Sequence, residues 1–288
     1  MDKFDAPVIP PVPAVLVLGA SGKTGRRVLQ RLEARGVPVR PGSRRAAPPF
    51  DWSQPATWPA ALAGCERVYV SFQPDLAVPG ALATVTAFFA EARRVGVRHL
   101  VLLSGRGEVE AVQAEQALKD SGVSWTVLRA SWFMQNFSES FFQAPLQQGG
   151  VLALPVGAVA EPFIDVDDIA DVAVAALLQP ERHQGRLYEL TGPESLSFAQ
   201  AVAAIGSASG RPMQFVELPI EAYRREALAA GVPPEVLELA LYLFTTVLDG
   251  RNSAPADGVQ QALGRPARRF ADYARAAAGE GAWAPVAT

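Results

Sequence analysis

Val15-Leu16-Val17-Leu18-Gly19-Ala20-Ser21-Gly22-Lys23-Thr24-Gly25 is the stretch that decides the fold. Four apolar residues in a row read as a buried strand. The run stops at a glycine turn, and Arg26, Val28, Leu29 and Leu32 begin a helical pattern at once. Strand, tight turn and helix N-terminus together make a cradle for a pyrophosphate, because free backbone N–H groups and the positive end of the helix dipole point at the phosphates. Gly19 permits the turn, Gly22 lets the backbone approach the ligand, and Gly25 lets the helix pack close to the strand. A glycine pattern alone can be a chance loop at a βα corner. This one follows a strand, opens a helix and begins a run of βα units, so a dinucleotide-binding site is expected.

Working outward, the helix covers residues 24–35 with Gly36 as its C-cap, and 37–40 is a short second strand. A loop at 41–49 and a brief helix at 57–62 follow. Residues 67–71 (RVYVS) read as a strand broken by Pro74, 79–95 as a helix, and 99–104 (HLVLLS) as a parallel strand buried on both faces. A helix at 109–120 ended by Gly122 and a strand at 125–129 (WTVLR) continue the alternation. Strands alternating with helices through short loops predict an α/β fold, a doubly wound parallel Rossmann sheet of six strands with right-handed connections. Further on, 162–164 and 187–190 read as strands flanking a helix at 166–179. Beyond Thr191 the chain turns mostly helical (197–209, 220–230, 234–248 and 270–278), apart from a strand at 214–218. The expected organisation is a Pro-rich tail (1–13), a nucleotide-binding domain (14–150) and a smaller, mostly helical substrate lobe (151–288), with 162–190 returning to the sheet. Ligands should bind where the two meet, at the carboxyl ends of the strands.

Composition bounds the function. The 288 residues, 49% of them hydrophobic, supply a sizeable core. With 26 basic and 29 acidic residues the net charge is −3, and no basic stripe is present, which argues against a nucleic-acid partner. One cysteine, Cys65, excludes an internal disulfide and fits a cytoplasmic setting. Two histidines and one cysteine make a His/Cys metal site improbable, so no metal is expected. No apolar run approaches the ~18 residues of a membrane span, and the N-terminal stretch lacks the apolar core of a signal peptide. A small-molecule substrate and a monomer or homodimer are expected.

The end of the second strand decides between the two nicotinamide dinucleotides, since an Asp or Glu there binds a ribose 2′-hydroxyl and an Arg accepts a 2′-phosphate. Val39-Arg40-Pro41-Gly42-Ser43-Arg44-Arg45 holds no carboxylate, and Ser43 and Arg44 can grip a phosphate. Lys23 adds a cation inside the glycine turn. The expected cofactor is NADP(H); the plain alternative for these residues is a solvated basic loop.

GASGKTG (19–25), VLLSG (101–105), SWTVLRASWFMQNF (124–137), FIDVDDIADVA (163–173) and LYELTGPE (187–194) lie in order along nearly the whole chain. With these motifs it resembles the NmrA-like atypical short-chain dehydrogenase/reductases. DWSQPATWPAAL (51–62) and WFMQNF (132–137) look most like the ergot alkaloid reductase-like subgroup, which reduces iminium intermediates with NADPH. The group also resembles quinone reductases, phenylpropanoid reductases and a non-catalytic nitrogen regulator. The resemblance implies that Gly19, Ser21, Gly22, Lys23, Thr24 and Gly25 hold the pyrophosphate and Ser43 and Arg44 the adenosine phosphate. It implies that Ser71, Phe72 and Gln73 pass beside the cofactor and that Ser104 lies near the nicotinamide ribose. Trp132, Phe133, Asn136 and Phe137 would line the nicotinamide and substrate pocket.

One departure bears on mechanism. Typical short-chain dehydrogenases carry a Tyr-x-x-x-Lys pair that protonates the product. Here the only lysines are Lys3, Lys23 and Lys119, and none follows a tyrosine by four residues. Registered on Ala114-Glu115-Gln116, the two positions fall at about Gly107 and Ala111. Reducing a ketone needs hydride and proton, whereas an iminium ion needs hydride alone and a quinone's oxyanion product can take its proton from water. An NADPH-dependent reductase of iminium or quinone type is therefore expected. The alternatives are a non-catalytic redox-sensing regulator and a non-redox cyclase or isomerase on the same fold. No catalytic residue is assigned; the candidates are Asp165 and Asp167, as helix N-caps or as carboxylates steadying a cation, and Tyr223 and Tyr242, reaching in from the small lobe. His99 is expected to be an exposed basic position, His183 a solvated turn residue, and Cys65 and Tyr188 packed.

Overall fold

Val15, Leu16, Val17 and Leu18 are all fully buried, which a strand achieves only when both faces of its sheet are covered. In the computed structural model, which describes residues 14–285, they form β1 (Ala14–Leu18). The alternation then continues through α1 (Lys23–Glu33), β2 (Val39–Gly42), α2 (Trp58–Leu62), β3 (Cys65–Val70), α3 (Ala81–Arg94), β4 (His99–Gly105), α4 (Val109–Asp120) and β5 (Ser124–Ala130). After β5 come α5 (Gln143–Gln148), β6 (Val151–Leu154), β7 (Ala160–Glu161), α6 (Val166–Leu178), α7 (Pro180–His183) and β8 (Arg186–Leu190). The rest is β9 (Leu196–Ser197), α8 (Phe198–Ser209), β10 (Gln214–Glu217), α9 (Ile220–Ala229), α10 (Pro234–Tyr242), α11 (Gly258–Leu263) and α12 (Phe270–Gly279).

Six strands form one parallel sheet in the order β2-β1-β3-β4-β5-β8. The chain leaves β1 for β2 on one side and crosses back to β3 on the other. The order reverses there, and the crevice beyond the carboxyl ends of β1 and β3 is where such folds take ligands. Alternation along β1 sends Val15 and Val17 to a core with α1, α6 and α11, and Leu16 and Leu18 to a core with α2, α3 and α4. A third core, built on Phe137, Phe142, Phe163, Phe198 and Phe270, joins the segment after β5 to α8 and α12. Among the described residues no helix is long and apolar enough to cross a membrane. The Pro-rich tail at residues 1–13 lies outside the described residues.

Several expectations are corrected. The second strand runs two residues later than the sequence suggested. Residues 162–164 are not a strand; Ile164 makes only an isolated bridge to Phe133, while the two-residue β7 just before pairs antiparallel with β9. The helix expected over 234–248 is α-helical only to Tyr242 and continues as a π-helical turn at Leu243–Val247. The helices α5, α7 and α11 and the strand β6, which pairs with β10, carry too little periodicity to be read alone. Both histidines are buried. His99 is 1% exposed and meets Ser124 Oγ at 2.9 Å and Thr126 Oγ1 at 3.1 Å, because β4 is flanked by β3 and β5 from its first residue. His183 meets the Tyr188 hydroxyl at 2.9 Å.

Candidate functional site

The glycine turn has the geometry of a phosphate cradle. Gly19 sits at φ +64°, and a Cβ on Gly25 would lie 2.1 Å from the Gly19 carbonyl oxygen, so α1 presses against the turn more closely than any side chain permits. Gly22 caps α1 with no side-chain hydrogen bond and no acidic residue in the first turn, which leaves the first N–H groups free to meet an anion. Lys23 stands at the same end, its ammonium pKa lowered by burial. The loop after β3 closes over the turn: a Cβ on Gly22 would lie 3.3 Å from Gln73 Nε2, and one on Gly19 3.3 Å from Ser71 Cβ. These residues fit a dinucleotide pyrophosphate.

From this cradle a cavity of about 600 Å³ runs across the carboxyl ends of β1, β3, β4 and β5. Ser21, Gly22, Lys23 and Arg26 line one end, and Ser71, Phe72, Gln73 and Ser104 the middle. Trp132, Phe133 and Phe244, with the Asn136 amide beside them, make a largely aromatic far wall, and Phe141, Val236 and Leu239 an apolar mouth. Trp132 and Phe244 stack with centroids 5.5 Å apart at 23°. Ser104 is buried and donates its hydrogen to Glu115 Oε1 at 2.7 Å; Glu115 is in turn held by Arg129 Nε at 2.9 Å. The Ser104 hydroxyl therefore faces the cavity as an acceptor.

Other expected site residues lie elsewhere. Thr24 is buried behind the turn. Ser43 and Arg44 follow β2 outside the cavity; Arg44 is exposed, and no ion pair to it is present among the described residues. Phe137 is corrected from pocket wall to core, being fully buried between Phe142, Phe163 and Phe270. Asp165 is an N-cap that accepts from Asp167 N at 2.8 Å and Gln135 Nε2 at 2.8 Å, and Asp167 pairs with Arg31. Neither carboxylate faces the cavity. Tyr242 donates to Glu110 Oε2 at 2.9 Å and its pKa is pushed up to about 12, by burial and by that carboxylate. Tyr223 packs edge-on against Phe244 from outside the cavity. The two tyrosines are thus corrected as proton donors.

Sequence reading missed Asp75 and Glu108, which line the cavity between Ser104 and the apolar mouth. They are 33 positions apart in the chain and meet because β3 and β4 are neighbours. Burial first, and then the Asp75 charge, push the Glu108 carboxyl up to about 9; burial also raises Asp75. No local pattern marked them; in the structure a Cβ on Gly105 would lie 2.0 Å from Glu108 Oε1.

Residues 110–268 match the NmrA-like family, and residues 19–180 match the NAD(P)H-binding family. The NAD(P)H azoreductase of Xenophilus azovorans is 31% identical over 91% of this chain and 97% of its own. The agroclavine dehydrogenase of Claviceps fusiformis is 30% identical over 90% and 95%. Among solved structures, the NADP(H) complex of the Citrobacter sp. triphenylmethane reductase superposes with a TM-score of 0.73 at 19% identity, covering 91% of this chain and 99% of that one.

Proposed function

This chain belongs to the NmrA-like family and is an NAD(P)H-dependent reductase, and from that premise we propose that it transfers hydride from NADPH to a small organic electrophile of iminium or quinone type. The observation that carries this reading is the continuous cavity from the glycine cradle to the aromatic chamber of Trp132, Phe133 and Phe244. When bound, the cofactor supplies a hydride at its nicotinamide ring; the protein supplies binding and orientation. The N-terminus of α1 and Lys23 hold the pyrophosphate. Ser43 and Arg44, with no carboxylate in the stretch from Val39 to Arg45, hold the 2′-phosphate and set the preference for NADPH. Ser104 accepts from the nicotinamide ribose. Trp132 and Phe244 present a flat apolar surface that aligns a conjugated substrate and excludes water.

Two residues support hydride transfer without a Tyr-Lys relay. Gly107 sits at φ +91°, a left-handed backbone that strains any side chain, and a Cβ there would also displace the Asn252 amide, 2.2 Å away. Ala111 is fully buried. The names of two relatives, an azoreductase and an agroclavine dehydrogenase, are consistent with conjugated nitrogen-containing acceptors. The test is single-turnover oxidation of bound NADPH by a cyclic iminium and by a quinone, followed by absorbance. Rapid oxidation by either supports the reading; tight NADPH binding with no oxidation by any electrophile overturns it.

A further inference from the structure

Glu108 begins α4 without capping it; its carboxyl turns back over the end of β4, into the space that the missing side chain of Gly105 leaves open. The residue is 8% exposed and lines the cavity next to Ser104 and Gly105. Asp75, another carboxyl, lines the same part of the cavity, and its charge acts on Glu108. Asp75 Oδ1 accepts from Ala77 N at 2.8 Å, which fixes the carboxyl at the start of the loop after β3. Two carboxyls crowded together in a site with little water do not both ionise readily, so one keeps a proton. The other ionisable groups around the pair do not neutralise it. Glu110, on α4, adds negative charge, Tyr242, on α10, is committed to Glu110, and the Arg106 guanidinium is engaged by Asn252 O at 2.6 Å and Glu189.

Resting on the reductase reading above, we propose that Asp75 and Glu108 share one proton and that Glu108 delivers it to substrates whose reduction leaves an anion. The acid comes from the β4–α4 junction and the β3–α3 loop, in place of a tyrosine on the helix. For a quinone, hydride from the nicotinamide leaves a hydroquinone monoanion and NADP⁺. The Glu108 O–H bond breaks, an O–H bond forms on the product, and the pair, now doubly charged, takes a proton back from water. For an iminium ion no proton is needed, and the singly charged pair only attracts the cation.

The shared proton is read first on the protein without cofactor, by infrared spectroscopy. A protonated-carboxyl stretch should persist at pH 8, above the value near 7 of the buried Glu161 carboxyl, and should lose intensity in Glu108→Gln. Its absence from the parent overturns the proposal. Single-turnover rates with NADPH come second. Glu108→Gln should slow quinone reduction by roughly 100-fold more than it slows iminium reduction. The quinone rate should fall as pH rises through the pair's raised value, near 9, and Asp75→Asn should move that limb to lower pH by removing the neighbouring charge. Equal slowing of both substrates, or an unshifted limb, removes Glu108 as donor while leaving the reductase reading intact. A parent that reduces neither substrate overturns the reductase reading itself, and the delivery step with it.

Discussion

Gly25 has no room for a single methyl group, and the obstacle is backbone on both sides: a Cβ there would stand 2.1 Å from the Gly19 oxygen. No rotamer relieves such a contact, so Gly25→Ala must push α1 off β1. The expected cost is about 2–3 kcal/mol of stability, together with loss of NADPH binding, measured by urea unfolding and by titration. Gly22 is different. Its Cβ would stand 3.2 Å from the same oxygen, a contact that a small shift relieves. Gly22→Val should therefore keep the fold, seen as an unchanged circular dichroism spectrum, while its branched side chain blocks the pyrophosphate. Normal NADPH binding by that variant would place the phosphates elsewhere. On the proposed reading, cofactor choice depends on Arg44. Losing its charge-assisted contact should weaken NADPH by roughly 1.5–3 kcal/mol in Arg44→Ala and leave NADH unchanged. Equal affinity of the parent for the two cofactors would contradict this.

Between elements, the junction of α1, α6 and the segment before α12 is tied by charge. Arg31 bridges to Asp171 at 2.7 Å, and Asp168, fully buried, accepts from Arg268 N at 2.7 Å and pairs with Arg265 at 2.8 Å. Burial decides which of these ion pairs is worth most. The exposed Arg94–Glu91 pair on α3 is held in high dielectric and adds little. Asp168→Ala instead removes the fully buried partner of two guanidinium groups, which keep only Asp171, leaves the Arg268 N–H unpaired, and should cost about 3 kcal/mol. Urea denaturation of the two variants, Asp168→Ala and Glu91→Ala, gives the comparison; similar losses would show that the buried cluster is hydrated.

For the whole molecule, the buried histidines make stability depend on pH. The His99 pKa is lowered from its ordinary 6.5 to about 4, by burial first and then by His183 and Arg67. As pH falls the unfolded chain takes the proton before the folded one, so stability is full above about 6.5 and is lost progressively towards 4. The loss from this one residue is of the order of 2–3 kcal/mol. His99→Gln, which can keep the bonds to Ser124 and Thr126, should flatten that slope in urea melts at successive pH values. An unchanged slope would assign acid lability to other groups. Cofactor binding acts in the opposite direction: NADPH at a hundred times its Kd should add about 2.7 kcal/mol. It should raise the Tm of the parent and not that of Gly22→Val.

The sequence by itself determined the sheet, the cradle and the cofactor class. Each rests on local chemistry: an unbroken apolar run is a strand covered on both faces, and a glycine that no other residue can replace marks a close approach of backbones. The absent Tyr-x-x-x-Lys pair was equally legible, because it is a matter of composition. Only the tertiary structure decided what faces the cavity. Phe137 and Trp132 sit in one motif, yet one is core and the other pocket wall, because a short 3-10 turn at Met134–Asn136 points them to different sides. Asp165 and Asp167 could be read as helix caps or as pocket carboxylates, and they are a helix cap and an ion-pair partner, while Asp75 and Glu108 carried no mark and line the cavity. The side of a turn on which a side chain falls, and the partner it meets from another strand, depend on contacts between residues far apart in the chain. No local pattern encodes them.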